Sequence, residues 1–213
     1  MSTALTIALC LRDDEARLPD MARAAVEVGR TLAREHAAGE WSDSTDEGEP
    51  EDPEGVDLRF ELLALDESSR DNTLSVLSIL HAKVSELVTI TDLEPGTAIM
   101  RAARSATGRV WLIVDGPFAV EHALWAARQV FCGDRAAQVP GELLAVERNL
   151  GQATLGWLRG GLVSAQREVE QMLTAHGQHG AWSPARAWGV RQRARLFVRG
   201  RLGQIGLGHL DRR

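Results

Sequence analysis

The sequence predicts an α/β domain built on a central, mostly parallel sheet flanked by helices. Three observations lead there. Short continuous apolar runs of strand length recur along the chain, stretches of helical periodicity separate them, and two of the runs close on an aspartate, Asp66 and Asp115. Continuous rather than alternating apolar runs are expected of strands covered on both faces. An acidic residue at the carboxyl end of such a strand lies where open α/β sheets bind their ligands.

The first strand is expected over Leu5–Leu11, followed by the polar turn Arg12-Asp-Asp-Glu-Ala-Arg17. Leu18, Met21, Ala25, Val28 and Leu32 then recur at helical spacing to about His36. From residue 39 to 57 the character changes. Glu40, Asp43, Asp46, Glu47, Glu49, Glu51, Asp52, Glu54 and Asp57 occur with no basic residue among them, beside Pro50 and Pro53. Such a segment cannot bury enough apolar surface to offset its ordering entropy, so a solvated acidic loop is expected over 39–57, with an acidic tether for a basic partner as the alternative.

A second strand runs from Leu58 to Leu65 and ends at Asp66. Ser68-Ser-Arg-Asp-Asn-Thr73 is a turn rich in capping residues, and a helix follows through Leu74, Leu77, Leu80 and Val84. Glu86–Thr91 reads as a third strand. Pro95-Gly96 opens a small-residue helix that ends at Gly108 as its C-cap. Val110–Val114 is the fourth strand, leading into Asp115-Gly-Pro117. Beyond it a helix is expected over Val120–Val130. A strand over Leu143–Val146 follows the turn Val139-Pro-Gly-Glu142, and a largely helical stretch over Leu150–Leu173 is weakened by Gly156, Gly160 and Gly161.

Composition excludes several function classes. Cys10 and Cys132, the two cysteines, make neither a disulfide framework nor a zinc cluster, and both read as buried free thiols. His176 and His179 have no acidic or cysteine cluster beside them, so a metal site there is not expected. No run approaches the roughly 20 apolar residues of a membrane span, and no leader is recognised at the start, so a cytoplasmic protein is expected. The chain has no Tyr and a net charge of −6, which argues against nucleic acid as a partner. The positive charge is almost all arginine and is concentrated at the end. Arg186, Arg191, Arg193, Arg195, Arg199, Arg201, Arg212 and Arg213 face Asp211 alone. The chain therefore divides into an α/β domain over 1–180 and a basic extension over 181–213. That extension, interleaved with Trp182, Trp188, Leu196 and Phe197, suits an anionic membrane surface or a lipid phosphate on the inner face of the membrane. Equally, it suits docking on the acidic body.

In this order of elements the chain resembles the family 2 glycosyltransferases, especially the dolichyl- or polyprenyl-phosphate sugar transferases. The family's first turn, of the type Asn-Glu-Glu-x-x-x-Leu, corresponds to Arg12-Asp-Asp-Glu-Ala-Arg-Leu18, with acidity kept at Asp13-Asp14-Glu15 and the asparagine lost. Its Asp-Asp-Gly-Ser-x-Asp-x-Thr corresponds to Asp66-Glu-Ser-Ser-Arg-Asp-Asn-Thr73, and its Gly/Ala-spaced helix to Gly96–Gly108. Its Asp-x-Asp corresponds to Asp115-Gly-Pro117, where proline replaces the second carboxylate. The resemblance covers roughly residues 4–150.

The resemblance implies a Rossmann-like nucleotide-diphospho-sugar transferase fold. It also implies transfer of a sugar from a nucleotide-sugar donor to a hydroxyl or lipid-phosphate acceptor. Asp66 is implied to read the base, with Ser68, Asp71 and Asp14 also on the donor side, although Asp71 fits helix-start chemistry equally. Asp115 is implied to hold Mg2+ or Mn2+, which prefer hard oxygen ligands, or to be simply a strand-end turn residue. The general base is expected among Glu142, Asp134 and Glu147, with Glu142 first because it follows the Pro140-Gly141 turn. Asp134 and Arg135 are expected to pair in a loop. Loss of the second Asp-x-Asp carboxylate leaves open a non-catalytic homologue that binds a nucleotide, a lipid phosphate or a protein partner.

Overall fold

A computed structural model describes residues 3–38 and 58–183. The acidic segment 39–57 and all of the basic extension beyond residue 183 lie outside the described residues.

Apolar runs and helical periods alternate as the sequence anticipates: β1 (Thr3–Leu11), α1 (Leu18–Ala37), β2 (Arg59–Asp66), α2 (Thr73–His81), β3 (Leu87–Ile90), α3 (Ala98–Ser105) and β4 (Val110–Val114). Then come α4 (Val120–Phe131), β5 (Ala136–Val139), β6 (Leu143–Glu147), α5 (Arg148–Leu155), α6 (Leu162–Ala175) and the short β7 (Ala181–Trp182). The seven strands form one sheet in the order β3-β2-β1-β4-β6-β5-β7. The first four strands are mutually parallel, whereas β6 runs antiparallel to both β4 and β5.

Each face of the sheet carries a core. Leu5, Ile7, Leu9 and Leu11 of β1 pack with α1, α2 and α4, whereas Ala8 and Cys10 of the same strand pack with α3, α5 and α6. This two-residue alternation within an unbroken apolar run is what a strand covered on both sides requires.

Four local expectations are revised. The helix expected to cap at Gly108 ends at Ser105, and Ala106 turns extended (φ −63°, ψ 130°). Gly108 instead lies against β1: a β-carbon there would stand 2.5 Å from the Thr6 amide nitrogen, and the Gly108 N–H donates to Thr6 Oγ1 at 2.9 Å. The Leu150–Leu173 stretch is two helices, α5 and α6, parted at residues 156–161, where Gly160 takes φ +153°. Cys10 is buried, but Cys132 is exposed at the end of α4. Arg135 pairs with Glu147 at 3.2 Å rather than with Asp134, because the strand β5 carries it beside β6. That strand has no signal strong enough to read: Ala136-Ala-Gln-Val139 is short and only one of its residues is β-branched.

The turn before β6 forms as its sequence demands. Pro140 occupies the second position and Gly141 the third with φ +69°, while the Glu142 N–H donates to Val139 O at 3.0 Å.

Candidate functional site

Strand β1 is followed through α1 by its neighbour β2, and β4 lies on the other side of β1. The chain thus departs in opposite directions from adjacent strands, which opens a crevice at their carboxyl ends. Five segments gather there: the turns after β1, β2, β3 and β4, and the glycine-rich link between α5 and α6.

The turns after β1 and β2 are fastened together residue by residue. The Asp13 N–H donates to Ser69 Oγ (2.9 Å), the Asp14 N–H to Thr73 Oγ1 (2.9 Å) and the Glu15 N–H to Asp71 Oδ2 (3.0 Å). In return, the Arg70 N–H donates to Asp13 Oδ1 (2.7 Å), and the Asn72 side-chain amide donates to Glu15 Oε1 (3.1 Å). Asp13 and Ser68 both adopt φ +52°, a conformation aspartate tolerates better than most residues.

The structure places the expected donor-side residues as follows. Asp66 is fully buried at the end of β2, with the Ser69 N–H donating to Oδ2 (3.2 Å) and the Ser69 hydroxyl donating to Oδ1. Its carboxylate therefore organises its own turn and is closed to solvent. Asp14 is likewise buried. Oδ2 takes the Arg12 N–H at 2.8 Å, and Oδ1 pairs with Arg17 at 2.5 Å. Ser68 donates to Leu93 O at 3.0 Å and so ties the turn to the segment after β3.

Asp71 accepts from the Thr73 hydroxyl (2.5 Å), the Thr73 N–H (3.0 Å) and the Glu15 N–H (3.0 Å). Burial pushes its carboxyl up, but those hydrogen bonds to the ionised form outweigh burial and hold it below the ordinary value. Of the residues singled out on the donor side, Asp71 is on the exposed rim, whereas Asp66 and Asp14 form the floor.

Asp115 stands at the end of β4, where its Oδ2 accepts the Leu162 N–H (3.4 Å) at the start of α6. Pro117, two residues on, offers no side-chain ligand atom. Among the described residues, no three His, Cys, Asp or Glu side chains are grouped to hold a metal ion. The chain's own donor set at this position is one carboxylate that already accepts a helix amide, which does not fit a site built from protein ligands alone.

Glu142 lies beside this strand end, because Val114 of β4 pairs with Leu143 of β6. Its Oε1 accepts the Ala119 N–H (2.8 Å) just before α4 and meets His122 Nδ1 at 2.9 Å, with Oε2 3.0 Å from the same nitrogen. The other two base candidates lie elsewhere in the fold. Asp134 follows α4 in the loop before β5, and Glu147 ends β6 in a pair with Arg135.

Two contributors carry no clear sequence signal. Glu67 accepts the Ala98 N–H at 2.9 Å and so caps α3; its only trace was its place second in an acidic turn. Gly160 donates to Gly96 O at 2.8 Å, joining loops 64 residues apart in the chain (160 minus 96). Beside it Trp157 is 82% exposed and stacks on Arg104, whose guanidinium carbon lies 5.0 Å from the ring centroid.

No protein-family profile matches this chain, and no curated protein matches it in sequence. Its fold does match solved structures. One is a mannosyltransferase from Pyrobaculum calidifontis in complex with GDP-mannose and Mn2+ (TM-score 0.56, 14% identity, covering 95% of this chain and 63% of that one). Another is glucosyl-3-phosphoglycerate synthase from Mycobacterium tuberculosis in complex with phosphoglyceric acid (TM-score 0.54, 14% identity, covering 96% of this chain and 79% of that one). The chain thus spans less than two thirds of the mannosyltransferase. The likeness establishes a nucleotide-diphospho-sugar transferase fold, a mixed, mostly parallel sheet between helical layers.

Proposed function

We propose that this protein is a family 2-like glycosyltransferase that moves a sugar from a nucleotide donor to a hydroxyl or lipid-phosphate acceptor. The observation that carries the reading is the interlocked pair of turns, Asp13–Glu15 with Ser69–Thr73, at the carboxyl ends of β1 and β2. A preorganised rim of this kind binds a rigid ligand at low entropic cost, and it borders the crevice between β1 and β4 at the carboxyl ends of the strands, where open α/β sheets bind their ligands.

On this reading Asp66 and Asp14 set the shape of the donor site. Asp66 reaches the base once Ser69 releases it, and Ser68 and Asp71 line the rim. Asp115 faces the sugar and the leaving diphosphate, and Glu142 supplies the carboxylate on the acceptor side. A divalent cation, if the donor brings one, is held chiefly by the phosphates with Asp115 as the single protein carboxylate. The basic segment 181–213 is proposed to meet an anionic membrane surface or the acceptor's phosphate from the cytoplasmic side. Among the described residues no helix is long and apolar enough to cross a membrane.

A second reading, a non-catalytic homologue that binds a nucleotide or a partner, is favoured by one specific observation. One oxygen of the carboxylate expected to handle the metal, Asp115 Oδ2, accepts the amide that opens α6, and Pro117 supplies no second carboxylate.

Calorimetric titration with uridine and guanosine diphosphates, with and without Mn2+, tests both readings. Binding strengthened by metal supports the transferase, and binding indifferent to metal supports the non-catalytic homologue or a metal-independent enzyme. Absence of binding to either nucleotide removes the donor site. Asp66→Ala is expected to abolish the signal.

A further inference from the structure

We propose that His122 is the group that takes the acceptor's proton, with Glu142 as the residue that positions it; this rests on the transferase reading above. The base candidates expected from the sequence, Glu142, Asp134 and Glu147, are all carboxylates, and the geometry adds an imidazole to one of them.

The argument begins with what Glu142 can still accept. Its Oε1 receives the Ala119 N–H at 2.8 Å and lies 2.9 Å from His122 Nδ1, while Oε2 is 3.0 Å from the same nitrogen. A carboxylate held on two sides in this way is fixed in orientation and offers little room for a substrate hydroxyl. An ionised carboxylate can only accept, so the short contact makes Nδ1 the protonated nitrogen. In the neutral imidazole Nε2 then carries the lone pair, and it lies at the far side of the ring from Glu142. About a third of the His122 side chain is exposed, 35% against 22% for Glu142, so the more accessible member of the pair is the imidazole.

Its position suits the role. His122 is in the first turn of α4, directly after the loop that leaves β4 at Asp115. Glu142 is one residue beyond the Val114–Leu143 pair and therefore neighbours Asp115 across the strands. Imidazole is also the side chain best matched to proton transfer near neutral pH.

The step balances without a further reactant. His122 Nε2 takes the proton of the acceptor hydroxyl, and the oxygen forms its bond to the anomeric carbon. The bond from that carbon to the diphosphate oxygen breaks, and the nucleoside diphosphate leaves with the electron pair. The imidazolium stays hydrogen-bonded to Glu142 and returns its proton to solvent.

Two measurements on the full chain test this. In long-range 15N–1H NMR of wild type, His122 is expected as the Nδ1–H tautomer with an unprotonated Nε2. An Nε2–H tautomer overturns the proposal. Second, release of nucleoside diphosphate from GDP-mannose or UDP-glucose is followed for wild type and His122→Gln, beside calorimetric binding of the same nucleotide diphosphate. The expectation is a loss of at least about 100-fold in kcat with the donor KM and the nucleotide affinity unchanged. Glu142→Gln, which keeps an acceptor for Nδ1–H but not the charge, is expected to fall between the two. Wild-type turnover by His122→Gln with intact nucleotide binding overturns the proposal alone. Failure of wild type to bind either nucleotide overturns it together with the transferase reading.

Discussion

The Asp14 amide donates to the hydroxyl of Thr73 at 2.9 Å, and that hydroxyl donates in turn to Asp71 Oδ1 at 2.5 Å. Both Asp14 and Thr73 are buried, so the first bond of this relay is shielded from water while its far end reaches the exposed Asp71, and the relay joins the turn after β1 to the start of α2. It makes the donor-side rim one unit rather than two adjacent loops, and it suggests where that rim is vulnerable.

Thr73→Val keeps the shape of the side chain but leaves a buried amide without an acceptor. A loss of about 1–3 kcal/mol in unfolding free energy is expected. Urea denaturation measures it; an unchanged midpoint would mean that the two turns hold without the relay.

Asp71 gives this rim a pH dependence of defined sign. Its folded carboxyl is held below the ordinary 3.8, so its contribution is fully present above that value and is lost as pH falls through the lower, folded value. Urea midpoints of wild type and Asp71→Asn compared at pH 7 and near pH 3 are expected to converge at the acid end. A gap that widens on acidification would reverse the assigned sign.

Gly108→Ala places a β-carbon 2.5 Å from the backbone of Thr6, in the interior strand β1. Neither side can yield cheaply, and overpacking of this kind costs about 1–3 kcal/mol. Thermal melting is expected to show it. Gly116→Ala, where a β-carbon meets nothing within 4 Å, is the control expected to melt close to wild type.

Asp115→Ala separates a cap from a ligand. Loss of the bond to the Leu162 amide is expected to cost about 1 kcal/mol of stability. If Asp115 also assists a cation on the donor, the same substitution removes only the metal-dependent part of nucleotide binding. Calorimetry with and without Mn2+ reads that part independently of the melt.

Much of the fold was legible because it is written in local periods. The apolar runs of β1, β2 and β4, the spacing of Leu18, Met21, Ala25, Val28 and Leu32, and the Pro140-Gly141 turn each encode their element in neighbouring residues. The end of α3 and the strand β5 were not legible. Gly108 is required by a strand about a hundred residues away, and Ala136–Val139 becomes a strand only because β6 pairs with it.

The site divides along the same line. Sequence alone determined that acidic residues close the strands at Asp66 and Asp115, because a buried run and the residue that ends it are contiguous in the chain. Tertiary structure alone decided what those carboxylates touch. Asp66 is turned in on Ser69, Asp115 is engaged by the amide of Leu162, and Glu142 is paired with His122, twenty residues away in sequence. The physical reason is that a carboxylate's partners are set by distance in space. A hydrogen bond acts over about 3 Å, and residue type and spacing along the chain do not specify which donors the fold brings within that reach.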